Sequence, residues 1–473
     1  MKLLKLSLVA SLALGALSTA SFAQPLEEAI KGVDVSGYLR YRYNDDRYDN
    51  QKNVEGVKGG NATHRWKAVA DFKTPVVDNV AFNLGILYNN ESQNVNHGKG
   101  ISGAPDTNGN ATTIPYLGSG LGAGKDSEFG VRNFYAVITP DSTATTIIAG
   151  KQVLNTPVTN TRDDDRGTGI MVLNSDIPNL TLGAAVFDSW SINDVHNGAA
   201  GNETSVDKML YALAAIYNND TAFGNIGAQV WGFHIDDTVD SLIFSELSWK
   251  GSLFNAKLQY AFSQLADDDK SVFGGLYGFV QNEAGVNVPN IASDNDVLIA
   301  EVGADLRADY SLPFDAKLGY ITNFQDGTAV SLEDEGAYVS VGKIWYQNAA
   351  TGFSFSALPA SGMKQYGYNK TADVDIFYGA LNFGFLEDRF KIGLEGVFGE
   401  NKIDTPVLNA SNVENTIKFR EITPTFRWKH SKNLTFSGYY AMLTTEVDTK
   451  DVNGNNNPDE DRNRLRLEAR YNF

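Results

Sequence analysis

The final ten residues of the chain, positions 464–473, alternate without exception between a polar and an apolar side chain. Successive side chains of a β-strand point to opposite faces, so this period of two predicts a strand with one polar and one apolar face. The apolar face ends on Phe473, an aromatic residue at a position where chains normally fray. A strand of about ten residues with one apolar face and a terminal aromatic is typical of the closing strand of an outer-membrane β-barrel.

Composition narrows the remaining classes of protein. Apart from the N-terminus, no apolar run approaches the roughly 18–20 residues that a transmembrane helix requires. The 473 residues include no cysteine and only five scattered histidines, which excludes disulfide frameworks, thiol nucleophiles and Cys-ligated metals. The formal net charge of −18 disfavours nucleic acid as a partner. No Ser/His/Asp set falls on strand faces in a readable register, so we predict that the protein is not an enzyme.

The N-terminus has the three parts of a secretory signal peptide in the right order. Two lysines precede an apolar stretch at 6–17, and small residues at Ser21 and Ala23 fit a cleavage site before Gln24. We therefore predict a signal peptide over 1–23 and one transmembrane β-barrel domain over 24–473. Because cleavage removes the two lysines, the exported protein is expected to carry a formal charge of about −20.

The alternating pattern recurs along the exported chain and predicts an all-β, transmembrane antiparallel β-barrel. Eight hairpins with tight turns, and one strand at each end, give about 18 strands, an even number as in bacterial single-chain barrels. The predicted hairpins pair 65–72 with 80–88, 129–139 with 143–151, 169–174 with 180–190, 211–217 with 226–233, 242–249 with 253–262, 297–310 with 316–324, 374–385 with 390–398, and 416–428 with 434–442. A weaker pair at 337–345 and 353–358 would make 20 strands, and we interpret it as ordered loop.

The connections between the predicted strands differ in length. Tight turns alternate with mostly longer loops at 44–61, 89–127, 152–168, 191–207, 265–295, 325–371, 399–414 and 445–461. Barrels of this kind place short turns on the periplasmic side and long loops outside the cell, so the alternation predicts the orientation of the chain.

Short stretches of the sequence carry a likeness to a known family. They lie at 25–31, 33–37, 39–43, 131–132, 149–155, 167–169 and 180–182, together with the signal peptide. They resemble the Campylobacter-type major outer membrane porin family, from end to end and most strongly over 1–43 and 128–190. The resemblance implies a trimeric, cation-selective, water-filled barrel of about 18 strands, with Ca²⁺ bound near the constriction.

One long loop is a candidate constriction. In trimeric porins a loop at this point folds into the barrel, and here it follows Lys151 and runs over 153–166. It carries three consecutive carboxylates, Asp163, Asp164 and Asp165, which repel one another unless they are solvated or neutralised. Two interpretations stay open, namely a solvated surface cluster and an acidic constriction that faces a cation or a basic wall.

The first and last strands predict that basic wall, because closure of a barrel places them side by side. Their polar faces carry five arginines, and a sixth lies two strands back. The predicted basic lumen wall consists of Arg40, Arg42, Arg427, Arg464, Arg466 and Arg470. Arginines that faced lipid near the midplane would cost about 2–4 kcal/mol each, so we expect them to face the lumen. They would either set up a transverse field opposite the acidic loop or simply keep the lumen soluble.

The resemblance also implies a set of calcium ligands. Asp163, by its spacing before 167–169, and Glu333 match the positions of the family's ligands. A third ligand is expected from the loop after Trp190, where Asn197 fits best by spacing and Asp194 next. Hard oxygen ligands from separate loops suit Ca²⁺. The chain departs from the family in having Asp164 and Asp165 beside Asp163, which leaves the primary ligand ambiguous.

The sequence as a whole predicts a general diffusion porin in the outer membrane of a Gram-negative bacterium. It would pass cations and small hydrophilic solutes as a homotrimer, in contact with outer-membrane lipid and lipopolysaccharide. Alternatives that stay open are a surface adhesin that displays its loops to host ligands, and a channel selective for sugars or peptides. An outer-membrane lipid hydrolase would need an outward Ser–His pair, which none of the five histidines clearly supports.

Overall fold

The structure is a computed structural model that describes most of the exported chain. The described residues are 32–49, 59–90, 94–95, 101–103, 112–114, 128–159, 165–191, 208–271, 274, 278–282, 284–327, 341–347, 371–407, 410–448, 459 and 461–473. The predicted signal peptide lies outside them. Within the described residues, no helix is long and apolar enough to cross a membrane.

Eighteen long strands make up the wall of the described structure. They are β1 (Asp34–Asp49), β2 (Gly59–Lys73), β3 (Val80–Asn90), β4 (Glu128–Ile138), β5 (Thr145–Val153), β6 (Arg166–Asn174), β7 (Leu180–Ser191), β8 (Leu210–Thr221), β9 (Gly224–Ile235), β10 (Val239–Lys250), β11 (Phe254–Leu265), β12 (Asp294–Asp305), β13 (Phe314–Thr322), β14 (Thr371–Phe385), β15 (Phe390–Val407), β16 (Ala410–Lys429), β17 (Leu434–Asp448) and β18 (Asp461–Asn472).

A few shorter elements lie in the connections. A two-residue strand, Asn94–Val95, pairs with β2, and two small hairpins pair other loop residues. One helical turn, α1 (Arg307–Tyr310), precedes β13, and a 3₁₀ turn covers Trp345–Gln347. The small hairpins join Ile101–Gly103 to Thr112–Ile114 and Phe279–Gln281 to Asn287–Pro289.

The sheet closes on itself. Each long strand pairs antiparallel with the next along the chain, and β18 pairs with β1 from Tyr38↔Asn472 to Asp49↔Asp461. Two backbone hydrogen bonds extend this seam, since Phe473 donates to Gly37 at 3.0 Å and Gly37 donates to Phe473 at 3.1 Å. A closed barrel has no unpaired edge strands. The prediction of an antiparallel barrel of 18 strands is confirmed.

The two faces of the strands differ as the alternation predicts. On β14 the outward side chains Phe377, Leu381 and Phe383 are exposed, whereas Val374 and Ile376 point inward and are buried. Leu39 of β1 and Leu467 of β18 also face outward. An exposed apolar face around a closed barrel is what a lipid environment requires.

Part of the interior of the outer half of the barrel is packed with side chains. A cluster of buried side chains combines inward residues of β7–β17 with residues of the loops, among them Val158, Ile291 and Trp345. Because connecting segments carry polar backbone, they can pack inside only where wall groups receive their hydrogen bonds. The loops therefore narrow the barrel from within at this level.

Some predicted boundaries are wrong because the strands run past the membrane. The predicted loop 399–414 is mostly the hairpin of β15 and β16, and β1 continues to Asp49 inside the predicted loop 44–61. Beyond the lipid both faces meet water, so the alternation that marks a strand disappears. Residues 307–310 form α1 instead of the end of a strand, just before Pro313, which cannot donate a ladder hydrogen bond. Of the predicted extra pair, the described part, 341–345, is not strand, which agrees with ordered loop.

Candidate pore and its basic wall

The inner faces of β1 and β18 form a ladder of charged rungs along the seam. Residues directly opposite each other are Arg40 and Arg470, Arg42 and Glu468, Asn44 and Arg466, and Asp46 and Arg464. The lower rungs lie in the periplasmic half, a few residues from the start of β1. Such opposite pairs are in direct contact because their Cβ atoms lie about 4.5–5.5 Å apart.

Most rungs pair a cation with an acceptor. Nε of Arg42 donates to Glu468 at 2.9 Å, and Nε of Arg466 donates to Asn44 at 2.9 Å. Aromatic rings hold two of the guanidinium groups in place. Arg470 lies 3.9 Å from the ring centroid of Tyr38, and Arg466 lies 5.2 Å from that of Tyr439. These contacts fix the directions of the arginines within the wall.

Five of the six predicted wall arginines line one cavity of about 890 Å³ inside the barrel: Arg40, Arg42, Arg427, Arg466 and Arg470. Arg132, Lys343 and Lys391 add further positive charge. Among the described residues that line this cavity, eight are cationic and three are carboxylates, Asp315, Glu395 and Glu468. The excess of five positive charges makes this side of the pore strongly basic.

Arg464, the sixth predicted wall residue, has a different environment. It is buried, and its Nε donates to Asp46 at 2.7 Å, while Nη2 of Arg462 donates to the same carboxylate oxygen at 3.1 Å. Arg464 therefore belongs to a closed ion-pair cluster at the outer end of the seam and is not among the residues that line the cavity.

A loop segment that sequence reasoning did not identify folds against the inner wall. The backbone N–H groups of Lys343, Ile344 and Trp345 all donate to the carboxylate of Glu421 on β16, at 2.5–3.0 Å. Glu421 is fully buried and also accepts a hydrogen bond from Thr423 at 2.6 Å. Successive N–H groups that converge on one carboxylate form an anion-binding nest, and bonds of this charged kind are strong.

A second glutamate completes this anchor. Glu395 on β15 accepts the N–H of Gly342 at 2.8 Å and pairs with Nζ of Lys343 at 2.9 Å. Trp345 stacks on Phe419 of β16 with the ring centroids 5.7 Å apart. Gly342, with φ of +80°, supplies the left-handed backbone that the nest requires. Residues 341–347 thus form a fixed shelf that presents Lys343 to the basic cavity.

The predicted acidic constriction is only partly within the described residues. Asp165 is buried, with 1% of its surface exposed, and its carbonyl accepts the N–H of Leu154 at 2.7 Å. This carboxylate therefore does not face open water, and the acidic constriction stays a prediction. Asp163, Asp164, Glu333, Asn197 and Asp194 lie outside the described residues. Within the described part of the chain, no group of three or more Asp, Glu or His side chains is placed to hold a metal ion.

The cavity-lining residues that were not predicted from the sequence differ in how clearly the sequence pattern marks them. Lys391 and Glu395 alternate with outward Ile392 and Leu394, so strand period alone could have placed them inside. Arg132 sits in a bulge, where the pairing of β3 with β4 shifts between Gly85 and Ile86, and a bulge breaks the alternation. Lys343 faces the cavity only because the loop folds inward.

The closed barrel, its apolar belt and its charged interior define an outer-membrane porin, a class of channel proteins rather than enzymes. The family model described as "Campylobacter major outer membrane protein" matches residues 1–471, and the chain belongs to this family. The family and the fold place the protein in the outer membrane of a Gram-negative bacterium. No curated protein matches the sequence.

Solved structures with the same fold are also porins. OpdQ of Pseudomonas aeruginosa superposes with a TM-score of 0.55 and 13% identity, over 94% of this chain and 100% of that chain. OccAB1 of Acinetobacter baumannii gives 0.57 and 14%, over 93% and 97%. A BenF-like porin from Pseudomonas fluorescens Pf-5 gives 0.55 and 13%, over 93% and 99%. At these identities the likeness establishes the fold.

Proposed function

We propose that the protein is a general diffusion porin that passes ions and small hydrophilic solutes passively and favours cations. The observation that carries the cation preference is a group of eight aspartates at and beyond the loop ends of β9–β13, here named the acidic rim. It consists of Asp236, Asp237, Asp240, Asp267, Asp268, Asp269, Asp294 and Asp326. A negative mouth concentrates cations before they enter a pore.

An ion pair holds one member of the acidic rim, Asp237, in the turn between β9 and β10. Nζ of Lys208 donates a hydrogen bond to Asp237 at 2.5 Å, and this bond lowers the pKa of the Asp237 carboxyl below its ordinary value. The long loops predict that this end of the barrel faces the outside of the cell. The basic wall lies deeper, so entering ions pass the acidic rim before they reach it.

Reversal potentials in asymmetric KCl test the cation preference. Changing Asp267, Asp268 and Asp269 to Asn should move the reversal potential toward zero, and so should changing Asp163 and Asp164 to Asn in the predicted constriction. Both shifts should weaken in high salt, because the screening length is about 10 Å at 0.1 M. The double change of Asp373 and Asp375 to Asn, on the outward face of β14, is the control. An anion-selective wild type, or an unchanged potential in both variants, would refute the assignment.

The assembly belongs to the same proposal. The resemblance to trimeric porins supports a homotrimer in the membrane, in which the apolar outer belt meets lipid and neighbouring copies. The purified protein should migrate as a trimer in SDS until it is heated. Monomers in analytical ultracentrifugation of the unheated detergent complex would contradict this.

Calcium is the proposed cofactor, with Asp163, Glu333 and Asn197 as ligands. Support comes from the buried cluster, which joins described residues next to all three ligand loops: Val158, Trp190 and Val341. Loops anchored in one cluster can bring their oxygen atoms together, and carboxylate and amide oxygens are ligands that Ca²⁺ prefers. The ion would link the loops and offset the repulsion among their carboxylates.

A further inference from the structure

We propose that the inner wall of β16, β17, β18 and β1 binds the carboxylate of small, singly charged organic anions. This inference rests on the proposed function only in that solutes must be able to enter the barrel. It assigns to the basic cavity a binding role in addition to conduction.

The lowest charged rung of the seam carries two like charges. Arg40 and Arg470 are directly opposite each other in the β1–β18 register, and both line the cavity. Like charges directly opposite each other in a sheet destabilise the pairing unless an anion lies between or beside them. Arg470 is held by the ring of Tyr38 and by Asn472, whose Oδ1 accepts from its Nε at 3.0 Å. The like-charged pair is thus kept in place, as a preformed anion site requires.

Further donors extend this site along β17 and β16. Thr435 is the register partner of Arg470, and Ser437 is that of Arg427. Both hydroxyl groups and all three guanidinium groups line the same cavity. Arg427 is exposed to the cavity, and within the described residues its guanidinium group makes no ion pair or hydrogen bond. A guanidinium group presents two parallel N–H donors, which match the two oxygen atoms of a carboxylate.

The cavity also suits the size and charge of such a solute. Its volume of about 890 Å³ falls in the range of small-molecule sites, roughly 300–1,000 Å³. The excess of five positive charges attracts anions, whereas the carboxylates of Asp315, Glu395 and Glu468 oppose them. The acidic rim governs which ions enter, and the basic wall governs how long an organic anion stays.

The test uses three probes that share one ring and differ in charge. Single-channel K⁺ currents of the reconstituted full protein are recorded with benzoate, benzyl alcohol or benzylammonium at neutral pH. Benzoate should block the current in a saturable way, and the other two probes should not. Arg427→Gln and Arg470→Gln should each raise the half-blocking benzoate concentration about tenfold, as expected for the loss of one charge-assisted contact.

The controls separate this inference from the proposed function. Arg420→Gln removes the same charge from the outward face of β16 and should leave the benzoate block unchanged. Folding of each variant is checked by its heat-dependent migration in SDS. A protein that passes no K⁺ refutes the proposed function. If the channel conducts but benzoate blocks it no better than benzyl alcohol, the anion site is refuted. The anion site is also refuted if the Arg420 variant behaves like the Arg427 variant.

Discussion

Arginines on the inner face differ in the strength of the contacts that hold them. Arg464 and Arg462 share one buried carboxylate, Asp46, whereas Arg427 is exposed to the cavity. A charge that is removed from water needs a well-placed counter-charge, since an unpaired buried charge costs several kcal/mol. The same residue type can therefore close the seam at one level of the barrel and meet solutes at another.

The stability of the protein should be sensitive to mutation of the buried ion-pair cluster at the outer end of the seam. Asp46→Asn leaves Arg462 and Arg464 without their shared carboxylate, and we expect a loss of about 3–5 kcal/mol in the free energy of unfolding. Asp45→Asn, on the adjacent residue, removes the pair with the half-exposed Arg47 and should cost at most about 1 kcal/mol. Unfolding of both variants in denaturant measures the two values. Equal losses would show that the Asp46 cluster is not buried in the folded protein.

A turn carboxylate gives the fold a local dependence on pH. Asp176, in the turn between β6 and β7, accepts hydrogen bonds from Thr143, Asn174 and the N–H of Ala144, and these bonds lower the pKa of its carboxyl. Because the pKa is lower in the folded state, the stabilisation is complete above the ordinary value of about 3.9. It is lost as pH falls through the folded-state pKa.

The measurement compares heat unfolding of the wild type and Asp176→Asn at neutral and strongly acidic pH. The variant should melt at a lower temperature at pH 7, and the difference should shrink once the wild-type carboxyl is protonated. Asp141→Asn, in the neighbouring turn, is the control for the loss of a surface charge. A constant difference between the wild type and Asp176→Asn at all pH values would contradict the prediction.

At the scale of elements, the shelf at 341–347 depends on hydrogen bonds to the wall. It has little regular structure of its own, and Glu421 and Glu395 together accept four of its backbone N–H groups. Such a segment keeps its place only while those acceptors remain charged and buried. We therefore expect the width of the pore to depend on a wall residue that does not itself line the cavity.

Glu421→Ala should release the shelf and widen the channel. The expected result is a larger single-channel conductance with more open-state current noise, while Glu421→Gln, which keeps one carbonyl acceptor, should lie between the variant and the wild type. Glu446→Gln, on the exposed outward face of β17, is the matched control. An unchanged conductance in Glu421→Ala would mean that the shelf does not limit the current.

At the scale of the whole molecule, the barrel is a rigid wall whose width is set by loops from separate parts of the chain. The hydrophobic cluster joins these loops inside the outer half, and the proposed Ca²⁺ would add a cross-link between them. A ligand that binds only the folded state stabilises it by about 2.7 kcal/mol at a hundredfold excess over its dissociation constant. Calcium should therefore act on stability and selectivity together.

Removal of calcium is expected to lower the thermal midpoint of the purified protein and to increase its preference for cations, since a divalent positive charge leaves the constriction. Glu333→Gln should reproduce much of the thermal loss without chelator, and chelator should then have little further effect. Addition of Mg²⁺ after chelation tests for specificity. Identical midpoints in calcium and in chelator would show that the acidic loop acts as an electrostatic filter without a bound ion.

The sequence by itself determined the barrel, its strand number and the inward direction of the wall arginines. Strand alternation is a local property of the sequence. Because a charged side chain in lipid costs so much, the charged face of each strand must point into the lumen. The resemblance to the family indicated the right class of protein because its matching stretches lie mostly in strands. The approximate ends of the strands within the lipid followed from the turns.

Only the tertiary structure decided which inward charges meet the cavity and which are closed off. Arg464 and Arg466 look alike in the sequence, but only Arg464 shares a buried carboxylate with Arg462. The buried position of Asp165 and the shelf held by Glu421 arise from contacts between residues far apart in the chain, which no local period encodes. Loops carry no repeating pattern, so their paths depend on which wall groups accept their backbone hydrogen bonds.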